Sequence, residues 1–139
     1  MKGREFLKSA RDLLAVGGEH NWRTTLGRAY YALVHEGADA LLRWGFPKPL
    51  GEQIHRFVRL RFDSTPHADF RSIGLALDQL GRRRNEADYQ LSHPGGFANG
   101  VVAVKAIRDA TDAIARLDAI EADGVRLAAA LAALRKAWP

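Results

Sequence analysis

Apolar residues recur every three or four positions along almost all of this chain, and no tract alternates apolar with polar residues across a tight turn. A period near 3.6 buries one stripe of a helix, whereas a half-buried strand needs a period of two. The pattern predicts an all-α fold. A chain of 139 residues is long enough for one domain, 1–139, with a core that needs no metal or disulfide support. No run of about eighteen apolar residues is present, so no membrane span is expected. The N-terminal MKGREFLKSARDLL has neither the apolar core nor the small-residue cleavage site of a secretory signal. The absence of cysteine excludes a disulfide framework and thiolate zinc sites, and a reducing cytoplasm is the expected location.

The spacing predicts a first helix from about Gly3 to Val16, stopped by Gly17-Gly18 and burying Phe6, Leu7, Leu13 and Leu14. A second opens near Asn21, a candidate N-cap, and carries Leu26, Tyr30, Leu33, Gly37, Leu41 and Trp44 on one face. It ends at Gly45, where FPKPLG forces a turn. A third helix over about 52–62 carries Ile54, Phe57 and Val58. A fourth runs from about Ala68 past Arg84 with Phe70, Ile73, Leu77 and Leu80 inward. Continuing that stripe by the same step reaches Arg84, while Arg82 and Arg83 point elsewhere. After the loop SHPGGFANG a helix over about 101–122 turns Val104, Ile107, Thr111, Ile114 and Leu117 inward. Gly124 breaks it, and a terminal helix over 125–138 packs back or offers a partner surface.

Two stretches of this layout carry a likeness. RAYYALVHEGADALLRWG, Arg28 to Gly45, and RNEADY, Arg84 to Tyr89, resemble two helical patches of the HEPN family (higher eukaryotes and prokaryotes nucleotide-binding domains), in particular its small stand-alone bacterial and archaeal members. Between them His55, followed by Val58 and Phe62, looks like the family's histidine in the intervening helix. The resemblance spans about Trp22 to Tyr89 and the helix after it; the first and last helices are generic. It implies an up-and-down bundle of five or six helices, a homodimer, and pairing with a minimal nucleotidyltransferase in a toxin–antitoxin system. It also implies a metal-independent ribonuclease whose arginine is followed, after four to six residues, by a histidine. Here those places hold Tyr89, Gln90 and Leu91, and the first histidine after Arg84 is His93. That departure leaves open a second reading, a module without cleavage that binds the nucleotidyltransferase or a nucleotide.

Metal-independent RNA cleavage needs a base for the 2′-hydroxyl proton, a cation for the phosphate and an acid for the leaving oxygen. Arginine suits the phosphate through its planar fork and histidine suits the proton transfers. Arg84 is therefore the expected phosphate ligand and His93 the expected proton carrier, with Tyr89 assisting by orienting the phosphate or, as the likeness allows, accepting a nucleotide. Arg28, Tyr31, Asp88 and His55 are the expected substrate-binding residues. A structural alternative stands beside this one: Arg84 and Asp88 are four apart, so they can form a helix ion pair capped by the Tyr89 ring. Arg28 is functional if it faces the same cleft and structural if it pairs with Glu36 or Asp88. His35 and His55 sit in amphipathic helices and each reads first as a hydrogen-bonded structural histidine, and His20 and His67 read as loop or cap residues.

A net charge of +5 and a pI near 10.0 favour an anionic partner such as RNA. Lys48, Arg56, Arg59, Arg61, Arg82 and Arg83 are candidates to line a backbone groove. The aromatic residues do not interleave with them in sequence, so base stacking is not expected. HEGAD at His35 lacks the second histidine of a zinc helix, and no metal or other cofactor is expected.

Overall fold

The computed structural model describes residues 1–92 and 96–139. These form six helices and no strand, packed as a helical bundle: α1 (Glu5–Val16), α2 (Glu19–Arg43), α3 (Ile54–Asp63), α4 (Ala68–Tyr89), α5 (Val101–Ala122) and α6 (Gly124–Ala137). Among the described residues no helix is long and apolar enough to cross a membrane.

α2 is the central element. It packs against α1, α3, α4 and α5, and Leu26, Ala29, Leu33, Val34, Ala40 and Leu41 on it are fully buried. The turn into it requires glycine, because Gly17 and Gly18 have φ of +80° and +93° in succession, a conformation that side-chain-bearing residues rarely adopt. Asn21 is not the N-cap expected from its residue type. α2 begins two residues earlier, and the Asn21 amide donates to the Gly17 carbonyl at 2.7 Å from within the first turn. The side chain thus closes the α1–α2 corner instead of starting the helix.

α1 crosses α2 at close range because Gly3 has no side chain: a Cβ there would lie 2.6 Å from the His35 Cβ and 2.9 Å from the Glu36 nitrogen. Arg4 locks the crossing. Its backbone nitrogen and Nε donate to the Glu36 carboxylate at 2.9 and 2.8 Å, and its Nη atoms reach Asp118 of α5 at 2.9 and 3.1 Å. Glu36 is buried, so the paired cation matters here more than it would on the surface.

α4 starts where His67 turns its Nδ1 to the Asp69 backbone N–H, an N-cap contact. In α5 the inward stripe is Ala103, Ala106, Ala110, Ala113, Ile114, Leu117 and Ile120. Val104, expected inward, is 49% exposed; the small residues one position away take the buried side because they let α5 approach α2 closely. α6 packs back on the bundle. Ala130 and Leu134 are fully buried, Arg126 donates to Asp69 at 2.7 and 2.8 Å, and the Trp138 ring lies 4.2 Å from the Arg61 guanidinium.

Candidate functional site

The extended stripe of α4 does deliver Arg84 to a seam between helices. Its side chain is 24% exposed and lies where α4 meets α2. Nη2 donates to the Tyr31 hydroxyl at 3.0 Å, and the guanidinium carbon lies 5.5 Å from the Tyr31 ring centre. Nε is 2.9 Å from an Asp88 carboxylate oxygen, an ion pair in which the N–H is not aligned as a hydrogen bond. The ring beside Arg84 is thus that of Tyr31, reached across the bundle, and not that of Tyr89, its neighbour in sequence.

Arg84 opens onto a cleft of about 280 Å³ between α2, α3 and α4. The α3 wall supplies His55 and Arg59, one helical turn apart, and α4 supplies Arg82, Asn85 and Asp78. Tyr30 closes the floor; burial raises its phenol above the ordinary tyrosine range, so it stays a neutral donor. Asp78 lies 3.1 Å from Arg82 Nε and answers that one charge. With Asp88 answering Arg84 and Asp78 answering Arg82, Arg59 is the arginine of the lining that no carboxylate pairs among the described residues, and it leaves the cleft an anion-attracting surface. Gly81 lies beside the Tyr30 ring, where a would-be Cβ would sit 3.5 Å from the nearest ring atom, an ordinary van der Waals contact.

The other expected residues are distributed differently. His55 shares the cleft with Arg84, and Tyr31 and Asp88 hold Arg84 from two sides. Arg28 pairs with neither Glu36 nor Asp88; its guanidinium sits 5.5 Å over the Phe6 ring. Tyr89, the last residue of α4, is 74% exposed and outside the cleft lining. His93 lies outside the described residues. His35 is held by ring stacking on Phe6.

The basic set divides in the same way. Arg59 and Arg82 line the cleft, whereas Arg61 turns inward, paired with Glu52 at 2.9 Å and stacked on Phe57 and Trp138. Arg83 pairs with Glu86 at 3.2 Å and faces a second cleft, of about 310 Å³, between α4 and α5. That second cleft is larger, but Lys105 on its rim is likewise answered by Asp109, so it offers less unbalanced charge. Lys48 donates to the Pro49 and Glu52 carbonyls within its own loop. Among the described residues no group of three or more histidine, aspartate or glutamate side chains is arranged to hold a metal ion.

One residue of the site's frame escaped the sequence reading. Arg23 is 7% exposed and donates to the Ala87 carbonyl at 2.9 Å and, at 3.4 Å, to those of Glu86 and Gln90. It also pairs with Glu19 at 2.9 Å and lies 4.4 Å from the Phe97 ring. It caps the last turn of α4, where carbonyls have no helical partner and the dipole favours a cation. The signal was present: Arg23 is three residues before Leu26, on the backward extension of the buried α2 stripe, just as Arg84 extends that of α4. Comparison with protein-family models, curated proteins and solved structures finds no match to this chain.

Proposed function

We propose that this protein is a HEPN-like member of a toxin–antitoxin system that binds RNA through the Arg84 cleft, acting as a homodimer. The observation that carries the reading is the convergence of Arg84, Arg82, Arg59 and His55 from two helices on one concave surface. A guanidinium fork matches a phosphate diester, and neighbouring arginines extend the match along a backbone. His55 is the histidine of that cleft, and an imidazole, with one nitrogen to accept and one to donate, is the side chain suited to proton transfer. Arg84 holds phosphate in this reading, and Tyr31 and Asp88 set its orientation.

The test is binding and cleavage of a labelled RNA in EDTA by the wild type and by Arg84→Ala, His55→Ala and His93→Ala. Binding lost in Arg84→Ala supports the cleft as the site. Cleavage lost in a histidine variant whose binding is intact identifies the proton carrier. No RNA binding at low salt by a folded wild type overturns the reading.

A second reading is favoured by two specific features: Asp88 already answers the Arg84 charge, and the Tyr89 phenol stands exposed at the end of α4. Together they suit an interaction module whose Tyr89 is offered to a minimal nucleotidyltransferase. Incubation with such an enzyme and a nucleoside triphosphate then gives a mass increase that Tyr89→Phe abolishes.

A further inference from the structure

We propose that Arg28, Tyr31 and His35 on α2, with Phe6 on α1, form a base-stacking track that continues the Arg84 cleft, and that its ligand is single-stranded RNA. The inference rests on the reading of the cleft as a site for RNA phosphate. In sequence Phe6 is remote from the other three, so the track exists only in the folded chain.

Arg28, Tyr31 and His35 are three and four residues apart, which places them on one face of α2 over about 10 Å. Phe6 stacks on His35, with ring centres 5.6 Å apart and planes 13° from parallel. His35 neighbours Tyr31 at 6.4 Å. A guanidinium stands at each end: Arg28 is 5.5 Å from the Phe6 ring centre and Arg84 is 5.5 Å from that of Tyr31. Two cations therefore bracket a row of three rings from Arg28 to Arg84, a combination of π-surface and positive charge of the kind that holds single strands by stacking bases while neutralising phosphates.

Two further observations separate this row from ordinary packing. Phe57, Phe62 and Phe70, which build the core, are essentially fully buried, whereas Phe6, Tyr31 and His35 keep part of their surface in solvent and Arg28 is exposed. Among the described residues no carboxylate pairs with Arg28, so its charge is available. The row is also preorganised. The close approach allowed by Gly3 and the Arg4–Glu36 clamp hold α1 against α2, which fixes Phe6 on His35 before any ligand arrives. A paired duplex keeps its bases stacked on one another and has none to offer such a track, so discrimination against duplex follows.

The experiment measures binding, by anisotropy in EDTA, of a labelled oligoadenylate RNA of about twelve nucleotides, the same RNA in a duplex, and inorganic polyphosphate as a base-free probe. Phe6→Leu and His35→Leu keep apolar bulk while removing a ring, and thermal melting of each verifies the fold. The expected result is that the wild type prefers the single strand. Each variant then weakens that binding by about 5- to 150-fold, the span of one stacked base, with polyphosphate affinity unchanged. Arg84→Ala weakens both ligands. Wild-type affinity for the single strand in folded Phe6→Leu and His35→Leu, or equal affinity for duplex and single strand, overturns the stacking track and leaves the Arg84 site standing. Failure of the wild type to bind any RNA overturns both.

Discussion

The Arg84 guanidinium joins α4 to α2 through the Tyr31 hydroxyl at 3.0 Å while Asp88 holds it from one turn further along its own helix at 2.9 Å. The tyrosine fixes the direction of the fork without competing for its charge. The carboxylate does compete. Asp88→Asn removes that competition and is expected to tighten binding of RNA or polyphosphate by about two- to fivefold at low salt, a gain typical of relieving a partly exposed ion pair. Weaker binding in Asp88→Asn would show instead that the carboxylate is needed to aim Arg84.

Arg23 is a buried cation that donates to backbone carbonyls at the end of α4 and pairs with Glu19 on its own helix. Arg23→Ala leaves those carbonyls and the Phe97 face without their partner and is expected to cost about 2–4 kcal/mol in urea unfolding. Arg23→Lys rescues only part, because an ammonium cannot spread donors over several carbonyls as a planar guanidinium does. Limited proteolysis between α4 and α5 should accelerate in both variants. An unchanged cleavage rate would mean that Arg23 does not hold that connection.

Gly3→Ala tests the α1–α2 crossing. The added methyl would meet the His35 Cβ at 2.6 Å and backbone of α2 at 2.9 and 3.1 Å, and backbone cannot swing aside as a flexible side chain does. The expected cost is about 1–3 kcal/mol, accompanied by loss of the Phe6–His35 stack, which shows as a shift of the His35 ring resonances in NMR spectra. A variant with wild-type stability and an unshifted His35 would contradict the close approach.

Asp69 links α4 to α6 and gives the bundle an acid-sensitive joint. Hydrogen bonds from Arg126, and then Arg116, hold its carboxyl at about 2, below the ordinary 3.8. Because the folded value lies below the unfolded one, this contribution is complete above about pH 4 and is lost as the pH falls towards 2. Glu36, lowered chiefly by its hydrogen bond from Arg4, changes in the same direction on the other side of the bundle. The wild-type Tm should therefore fall between pH 4 and 2. Asp69→Asn should start several degrees lower at neutral pH and fall less steeply across that interval. Parallel Tm curves for the two proteins would rule out Asp69 as a source of the acid sensitivity.

The helical layout could be read from spacing alone. α5 runs over the residues its periodicity predicts, and the other helices begin and end within a few residues of expectation. The errors share one cause, that residue type was used where geometry decides. Asn21 has the chemistry of an N-cap but sits inside a helix that two glycines start earlier. Val104 is apolar enough for the core, yet alanines on the adjacent face let α5 lie closer.

Periodicity by itself determined which side of each helix is apolar, and hence that an arginine at position 84 continues a buried stripe, because the 3.6-residue repeat is a local property of the backbone. It could not determine what that arginine meets. Tyr31, His55 and Phe6 come near one another only when α1, α2, α3 and α4 pack. Which faces oppose each other depends on close approaches such as that at Gly3, contacts between residues far apart in the chain that no local pattern encodes.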